Sequence, residues 1–285
     1  MQGSLFHPVI DSAEAQRALA EAQRQADLPA DAIDLDAMTI TQDPSRYSAE
    51  DHEVWRTVFE RRMERLVSTG SQAFLGGMEV VQIANSGVPV LAEINRNLEP
   101  KTGWRSVAVP GYLPPRAFFA FLAARQFPTT ISVRPKSQLE YLPEPDVLHD
   151  VFGHVPLHAD PDFTDFLESY GRTALAQRDP GAIEALARLF WFTVEFGLIR
   201  EGGETKLYGA GLVSSLGEGH HALFSPSVER RPFDLDAIIA TPFAIDHFQP
   251  VLYVLESFAQ LKDAMLAFEA RLARHRRATA RLQAV

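Results

Sequence analysis

Residues 140–156 read EYLPEPDVLHDVFGHVP: a proline-rich entry, then two histidines, His149 and His154, with Asp150 and Gly153 between them and Pro156 just beyond. A lone histidine is usually a satisfied structural residue. A pair with an intervening acid, closing on Gly-His-x-Pro, is harder to explain that way. On a regular helix turning roughly 100° per residue, an i,i+5 pair is offset by about 140°. The i,i+4 pair of the zinc-protease motif His-Glu-x-x-His is offset by only about 40°, so the tract is not that motif. For both histidines to share a metal, His154 has to reach it from a distorted last turn, which Gly153 and Pro156 favour. Spacing alone leaves a metal site and a structural pair equally open.

A second tract, Phe190–Leu198, reads FWFTVEFGL and carries one acid, Glu195, in an intensely apolar helical run. Burying an unpaired carboxylate costs several kcal/mol, so Glu195 needs a cation or a hydrogen-bonded partner. Two readings follow: a buried salt bridge to arginine, or a third metal ligand beside His149 and His154. Two imidazoles and one carboxylate form a set that leaves coordination positions open and suits non-haem ferrous iron. The same donors serve catalytic zinc, so ligand chemistry alone does not choose between the metals.

The whole chain limits the alternatives. Its 285 residues allow one large domain or two, and 46% hydrophobic content supplies a real core. With 27 basic against 37 acidic residues, the net charge is −10 and the isoelectric point is near 5.4, against a nucleic-acid binder. Cysteine is absent, which removes disulfides, iron–sulfur clusters, thiolate–zinc sites and a thiol nucleophile. The start, MQGSLFHPVIDSAEAQ, shows no secretory signal, and no long apolar window spans a membrane. A cytoplasmic protein is the expectation.

Along the chain, a helix is expected from Ser12, then a linker over Asp27–Ser48. Ser48 and Asp51 resemble a capping box, and apolar residues at helical spacing predict a helix over Asp51–Thr69, ended by Gly70. Gly76 and Gly77 read as a break, followed by short β-branched pieces at Val80–Ile83 and Val88–Leu91. Strands are expected at Trp104–Pro110 and Thr129–Val133. Helices are expected at Pro114–Arg125, Val147–Gly153, Pro161–Tyr170, Ile183–Leu198 and Phe248–Leu272. The arginines after residue 270 read as a solvated helix end. The fold class is α+β, mainly α-helical. Three parts are expected: residues 1–46 as a variable N-terminal helix and linker, 47–270 as the catalytic domain, and 271–285 as an Arg/Ala-rich tail.

Together with LYGAGLVSSLGE at residues 207–218, the two tracts occur in the order and spacing of a known family. Over roughly Tyr47–Leu261 the chain resembles the pterin-dependent aromatic amino acid hydroxylases, and most of all their short bacterial phenylalanine 4-hydroxylases. The resemblance implies an iron- and pterin-dependent catalytic domain. The implied reaction takes L-phenylalanine, dioxygen and tetrahydropterin to L-tyrosine and 4a-hydroxytetrahydropterin, the first step of phenylalanine catabolism. Residue by residue, it implies that His149, His154 and Glu195 hold Fe(II). Arg134 would pair with the substrate carboxylate, apt because a guanidinium binds a carboxylate bidentately, and Pro145, Trp191 and Ser214 would line the amino-acid pocket. Phe118 would stack on the pterin (tetrahydrobiopterin or similar), with Gly111 and Leu113 offering backbone contacts and Asp150 reaching it through water.

The chain also departs from the family. Phe190 stands where animal members carry tyrosine, and Leu142 where they place threonine. No animal-type regulatory domain precedes the catalytic region and the tail is short, so the resemblance does not extend to allosteric activation or tetramers; a monomer is expected. His158, His220, His221 and His247 match no ligand of the family and read as structural or surface residues. Hydroxylation of tyrosine or tryptophan is the rival within the family, and a zinc metallohydrolase the rival outside it.

Overall fold

The computed structural model describes residues 7–140, 145–245 and 247–283, of which 276–283 as backbone only. Its first half contains α1 (Ser12–Gln25), α2 (Ala49–Thr69), α3 (Gln72–Val81), α4 (Leu91–Thr102), β1 (Arg105–Val109), α5 (Pro115–Ala123) and β2 (Gln126–Thr130). Then come a π-helical segment (Leu148–His154), α6 (Pro161–Leu175), α7 (Pro180–Phe190) and a second π-helical segment (Trp191–Glu195). The chain finishes with β3 (Leu198–Glu201), β4 (Glu204–Leu207), α8 (Ala210–Ser214), α9 (Leu216–Phe224), β5 (Glu229–Pro232), α10 (Leu235–Ala240), β6 (Val251–Leu255) and α11 (Phe258–Gln283). The class is α+β and mainly helical, as expected.

Local chemistry sets the boundaries. Ser48 Oγ accepts the Asp51 amide while Asp51 takes the Ser48 amide, the expected capping box, and α2 starts there. Its buried face is Val54, Trp55, Val58, Arg62 and Leu66, a helical stripe with one cation in it. Asp160 caps α6 by accepting from Phe163 N, and Pro161 fills the first turn, where its missing N–H costs nothing.

The two sheets are small. β1 and β2 pair in parallel, and the other sheet runs β4-β3-β6-β5. Among the described residues only the β3–β4 pair is antiparallel, turned by Gly202 and Gly203 at positive φ. A main core joins residues from Val9 to Phe268, so α1 and α11 pack with the same interior as the central helices. A smaller cluster unites Ala22, Met38, Val107, Val109, Ala117 and Phe121. No helix among the described residues is long and apolar enough to cross a membrane.

Five expectations change: first, Ile183–Leu198 is not one helix, since α7 gives way to the π segment at Trp191 and Leu198 opens β3. Gly76 and Gly77 do not break the chain: α3 runs through both, and a Cβ at Gly77 would sit 1.9 Å from the Pro156 carbonyl oxygen. That glycine is there for close approach, not for a turn. Residues 88–91 lead into a helix, α4, which runs on through Pro100. The second strand begins three residues earlier than expected, at Gln126. Phe248–Leu272 is not one helix: Val251–Leu255 forms the inner strand β6, and Ser257 accepts from Gln260 N at the start of α11. Five consecutive apolar residues fit a strand covered on both faces as well as a helix.

Candidate functional site

The first π-helical segment resolves the spacing of the two histidines. An i→i+5 turn brings residue i+5 back to within roughly 50° of residue i, against about 140° on a regular helix. His149 and His154 therefore share a face, their Nε2 atoms 3.2 Å apart. Pro156 has no N–H to continue the ladder, and Gly153 lets Ala210 of α8 approach: a Cβ there would lie 3.1 Å from Ala210. The distortion expected in the last turn extends over the whole segment, Leu148–His154.

Glu195 ends the second π-helical segment. Thr193 Oγ1 donates to the Leu189 carbonyl, and Phe196 N bonds Trp191 O, five residues back. The reset delivers Glu195 to the histidines: Oε2 lies 3.6 Å from His149 Nε2 and Oε1 3.3 Å from His154 Nε2. Burial works to raise the Glu195 carboxyl, but His154 and His149 outweigh it and hold the group below its ordinary value. Burial in turn lowers His149, so its imidazole is neutral near pH 7.

The tautomer of His149 follows from its other nitrogen. Ser214 Oγ donates to the Ala210 carbonyl at 2.6 Å, so the His149 Nδ1 3.2 Å away must be the donor to it. The lone pair of His149 Nε2 is left facing His154 and Glu195. Donor edges of 3.2, 3.3 and 3.6 Å match those expected of three ligands about 2.0–2.2 Å from one ion. Asp150 also comes within 4.8 Å of the imidazoles, but its Oδ2 accepts the Thr130 amide at 2.6 Å. Burial pushes the Asp150 carboxyl up to about 7, against the pull of His154 and the Thr130 amide. Of the two carboxyls, Glu195 is the one held below its ordinary value beside the imidazoles, while Asp150 is raised and already bonded to Thr130.

Arg134 is buried against Asp146, which accepts from its Nε at 2.9 Å, its Nη2 at 2.8 Å and its backbone N at 3.0 Å. Arg134 Nη1 donates to Leu139 O at 3.3 Å. Of the five N–H donors of a guanidinium, two remain free of these bonds. Asp146 also accepts the His149 amide at 3.1 Å, so one carboxylate anchors both the arginine and the first histidine.

Aromatic rings cover the other side. Phe118, half-buried, meets Phe127 and Phe190 edge-on, with centroids 6.2 and 5.6 Å away. Phe127 in turn lies 4.7 Å from His154, which places Phe118 one ring away from the histidine pair. Trp191 stacks on Phe243 at 4.5 Å and 16°, and its indole Nε1 is buried without a hydrogen-bond partner among the described residues. Gly111 has φ +143° with open space where a Cβ would be, so its backbone is accessible, and Leu113 packs on the small cluster beneath α5. Pro145 is half-buried.

Residues 40–280 match the family of biopterin-dependent aromatic amino acid hydroxylases. The chain belongs to that family. It is 45% identical to the phenylalanine-4-hydroxylase of Chromobacterium violaceum over 231 residues, 81% of this chain and 78% of that protein. The tyrosine 3-monooxygenase of Canis lupus familiaris is 37% identical over 80% of this chain and 46% of its own length. Among solved structures, the C. violaceum phenylalanine hydroxylase with bound iron(III) and oxidised cofactor 7,8-dihydrobiopterin superposes with TM-score 0.78. That match is at 45% identity and covers 83% of this chain and 86% of the other.

Two residues beside the candidate site do not announce themselves in the sequence. Asp146 was readable as the acid of the PEPD run, but only the fold shows it holding Arg134. Thr193, inside FWFTVEFGL, is fully buried and its hydroxyl donates to the Leu189 carbonyl within the segment that ends at Glu195. Leu142 lies outside the described residues. His158 is fully buried, stacked on Trp104 at 5.0 Å, and burial drives its pKa well down. His220 and His221 pack on Phe224 and Phe248.

Proposed function

We propose that this hydroxylase is a phenylalanine 4-monooxygenase whose Fe(II) is held by His149, His154 and Glu195. The observation that carries the reading is the convergence of two imidazole nitrogens and one carboxylate within 3.2–3.6 Å of one another, with the His149 tautomer fixed from behind. The donor set fits ferrous iron, being two nitrogens and an oxygen with no thiolate. Iron and tetrahydropterin, when bound, together supply the activation of dioxygen that side chains do not provide.

The protein's part is orientation. The two remaining N–H donors of Arg134 suit a carboxylate, and the charge there is backed by Asp146. Trp191 and Pro145 supply flat apolar surface for the substrate ring. Phe118 offers a π face to the pterin, with Gly111 and Leu113 offering backbone beside it. Asp150, held by the Thr130 amide beside the histidines, would reach the pterin through water. The catalytic unit is residues 47–270, and the working form is a monomer.

Hydroxylation of tyrosine or tryptophan is the alternative within the family; membership of the family sets the zinc hydrolase reading aside. Iron-loaded protein with tetrahydropterin should be offered phenylalanine, tyrosine and tryptophan in parallel, with products separated by chromatography. Tyrosine from phenylalanine should dominate by kcat/KM. Predominant dihydroxyphenylalanine or hydroxytryptophan would overturn the substrate assignment.

A further inference from the structure

Arg62 is the one cation in the buried stripe of α2, with its side chain 1% exposed. Taking a guanidinium out of water is costly unless it is well paired. Its ionic partner, Glu140, is 57% exposed, lies 3.4 Å away and is shared with Arg61 at 2.8 Å. Burial, only partly offset by Glu140, lowers the Arg62 pKa to about 10. An ion pair of this kind does not justify the position on stability grounds. Methionine or leucine would avoid desolvating a charge there but would leave the Ser214 carbonyl without this donor.

What the guanidinium does, and an apolar residue would not, is join three segments. Its Nε donates to Ser214 O at 2.8 Å, and its Nη2 reaches Leu139 O at 3.5 Å. The same Leu139 carbonyl accepts from Arg134 Nη1, and the Ser214 hydroxyl stands behind His149. Arg62 thus touches, from outside the pocket, the peptide that orients the substrate-facing arginine and the turn that orients a metal-facing histidine.

We propose that Arg62 is a positioning residue of the amino-acid site: by fixing the Leu139 carbonyl against the Ser214 turn, it sets the direction in which Arg134 presents its free donors to the substrate carboxylate. This rests on the reading of Arg134 as the carboxylate anchor. The ligands that separate this role from a structural one are L-phenylalanine and phenethylamine, which differ by the carboxylate alone.

The test is calorimetric binding of both ligands to the iron-loaded enzyme with tetrahydropterin, without oxygen, in the wild type, Arg62→Met, Arg62→Lys, Arg134→Lys and the Arg62→Met/Arg134→Lys double variant. Arg62→Met should stay folded at the assay temperature and weaken L-phenylalanine about tenfold, while phenethylamine shifts by less than about twofold. Arg62→Lys, which retains the charge without the fork, should show the same selectivity at about threefold. The double variant should bind L-phenylalanine no more than about twofold weaker than Arg134→Lys alone, as coupled residues do. Equal losses for both ligands, additive losses in the double variant, or unchanged L-phenylalanine binding in Arg62→Met would each overturn the proposal. Unchanged binding in Arg134→Lys would instead remove the anchor itself.

Discussion

Replacing Ser214 with alanine removes one oxygen, and the structure says where the loss falls. The hydroxyl accepts from His149 Nδ1 at 3.2 Å while donating to Ala210 O. Without it, Nδ1–H loses its partner and the imidazole is free to turn or to change tautomer, which moves the lone pair off Nε2. A neutral hydrogen bond of this length contributes about 0.5–1.5 kcal/mol net, and groups behind metal ligands lower affinity about 10–100-fold when removed. The lower end applies here, because only one of three ligands is affected: about tenfold weaker iron. Anaerobic competition against a chromophoric ferrous chelator measures this directly. Ser214→Thr keeps the oxygen and should stay within about threefold of wild type. Should Ser214→Ala bind iron as tightly as wild type while its KM for phenylalanine rises, the hydroxyl belongs to the amino-acid pocket, as the sequence resemblance implied, and not to His149.

Other perturbations separate the remaining roles. Arg134→Lys keeps the charge but loses the planar fork, so kcat/KM for phenylalanine should fall about tenfold or more while the pterin KM moves little; wild-type kinetics would refute the anchor. Phe118→Leu should raise the tetrahydropterin KM several-fold, aromatic contacts adding about 0.5–1.5 kcal/mol beyond burial; a change confined to phenylalanine dependence would displace the pterin from Phe118. Glu218, whose carboxyl burial pushes up to about 7 against the Gln249 amide and His247, holds its proton more tightly in the folded chain than in the unfolded one. Its contribution to stability is therefore full below the ordinary value of 4.5 and is lost as pH rises through about 7. Glu218→Gln should consequently be more stable than wild type at pH 8 by about 2 kcal/mol, discounted for partial exposure, and nearly equal at pH 4. Parallel Tm profiles from pH 4 to 8.5 would contradict this.

Much of the site was legible because its chemistry is local in sequence. The Gly-His-x-Pro closure, the lone acid in FWFTVEFGL and the capping box of α2 each carry their own physical reason. The i,i+5 spacing of His149 and His154 was the apparent obstacle, and it became the explanation once the backbone was seen to adopt an i→i+5 turn. What stayed hidden depends on long-range contact. Gly77 reads as a breaker until Pro156 is found pressed against it, and Val251–Leu255 reads as helix until β3 and β5 flank it. Arg62 belongs to a pattern of apolar spacing that conceals it, since nothing in α2 itself announces the carbonyls of Leu139 and Ser214.

The central claim is that His149, His154 and Glu195 hold the iron that phenylalanine hydroxylation requires. Iron bound per chain after anaerobic reconstitution, measured by elemental analysis alongside tyrosine formation, tests it in His149→Ala, His154→Ala and Glu195→Ala. Each variant should remain folded, because a site with open coordination positions contributes less to the fold than a closed structural one, and each should lose both iron and tyrosine formation. Full iron and full turnover in any one of the three would contradict the account.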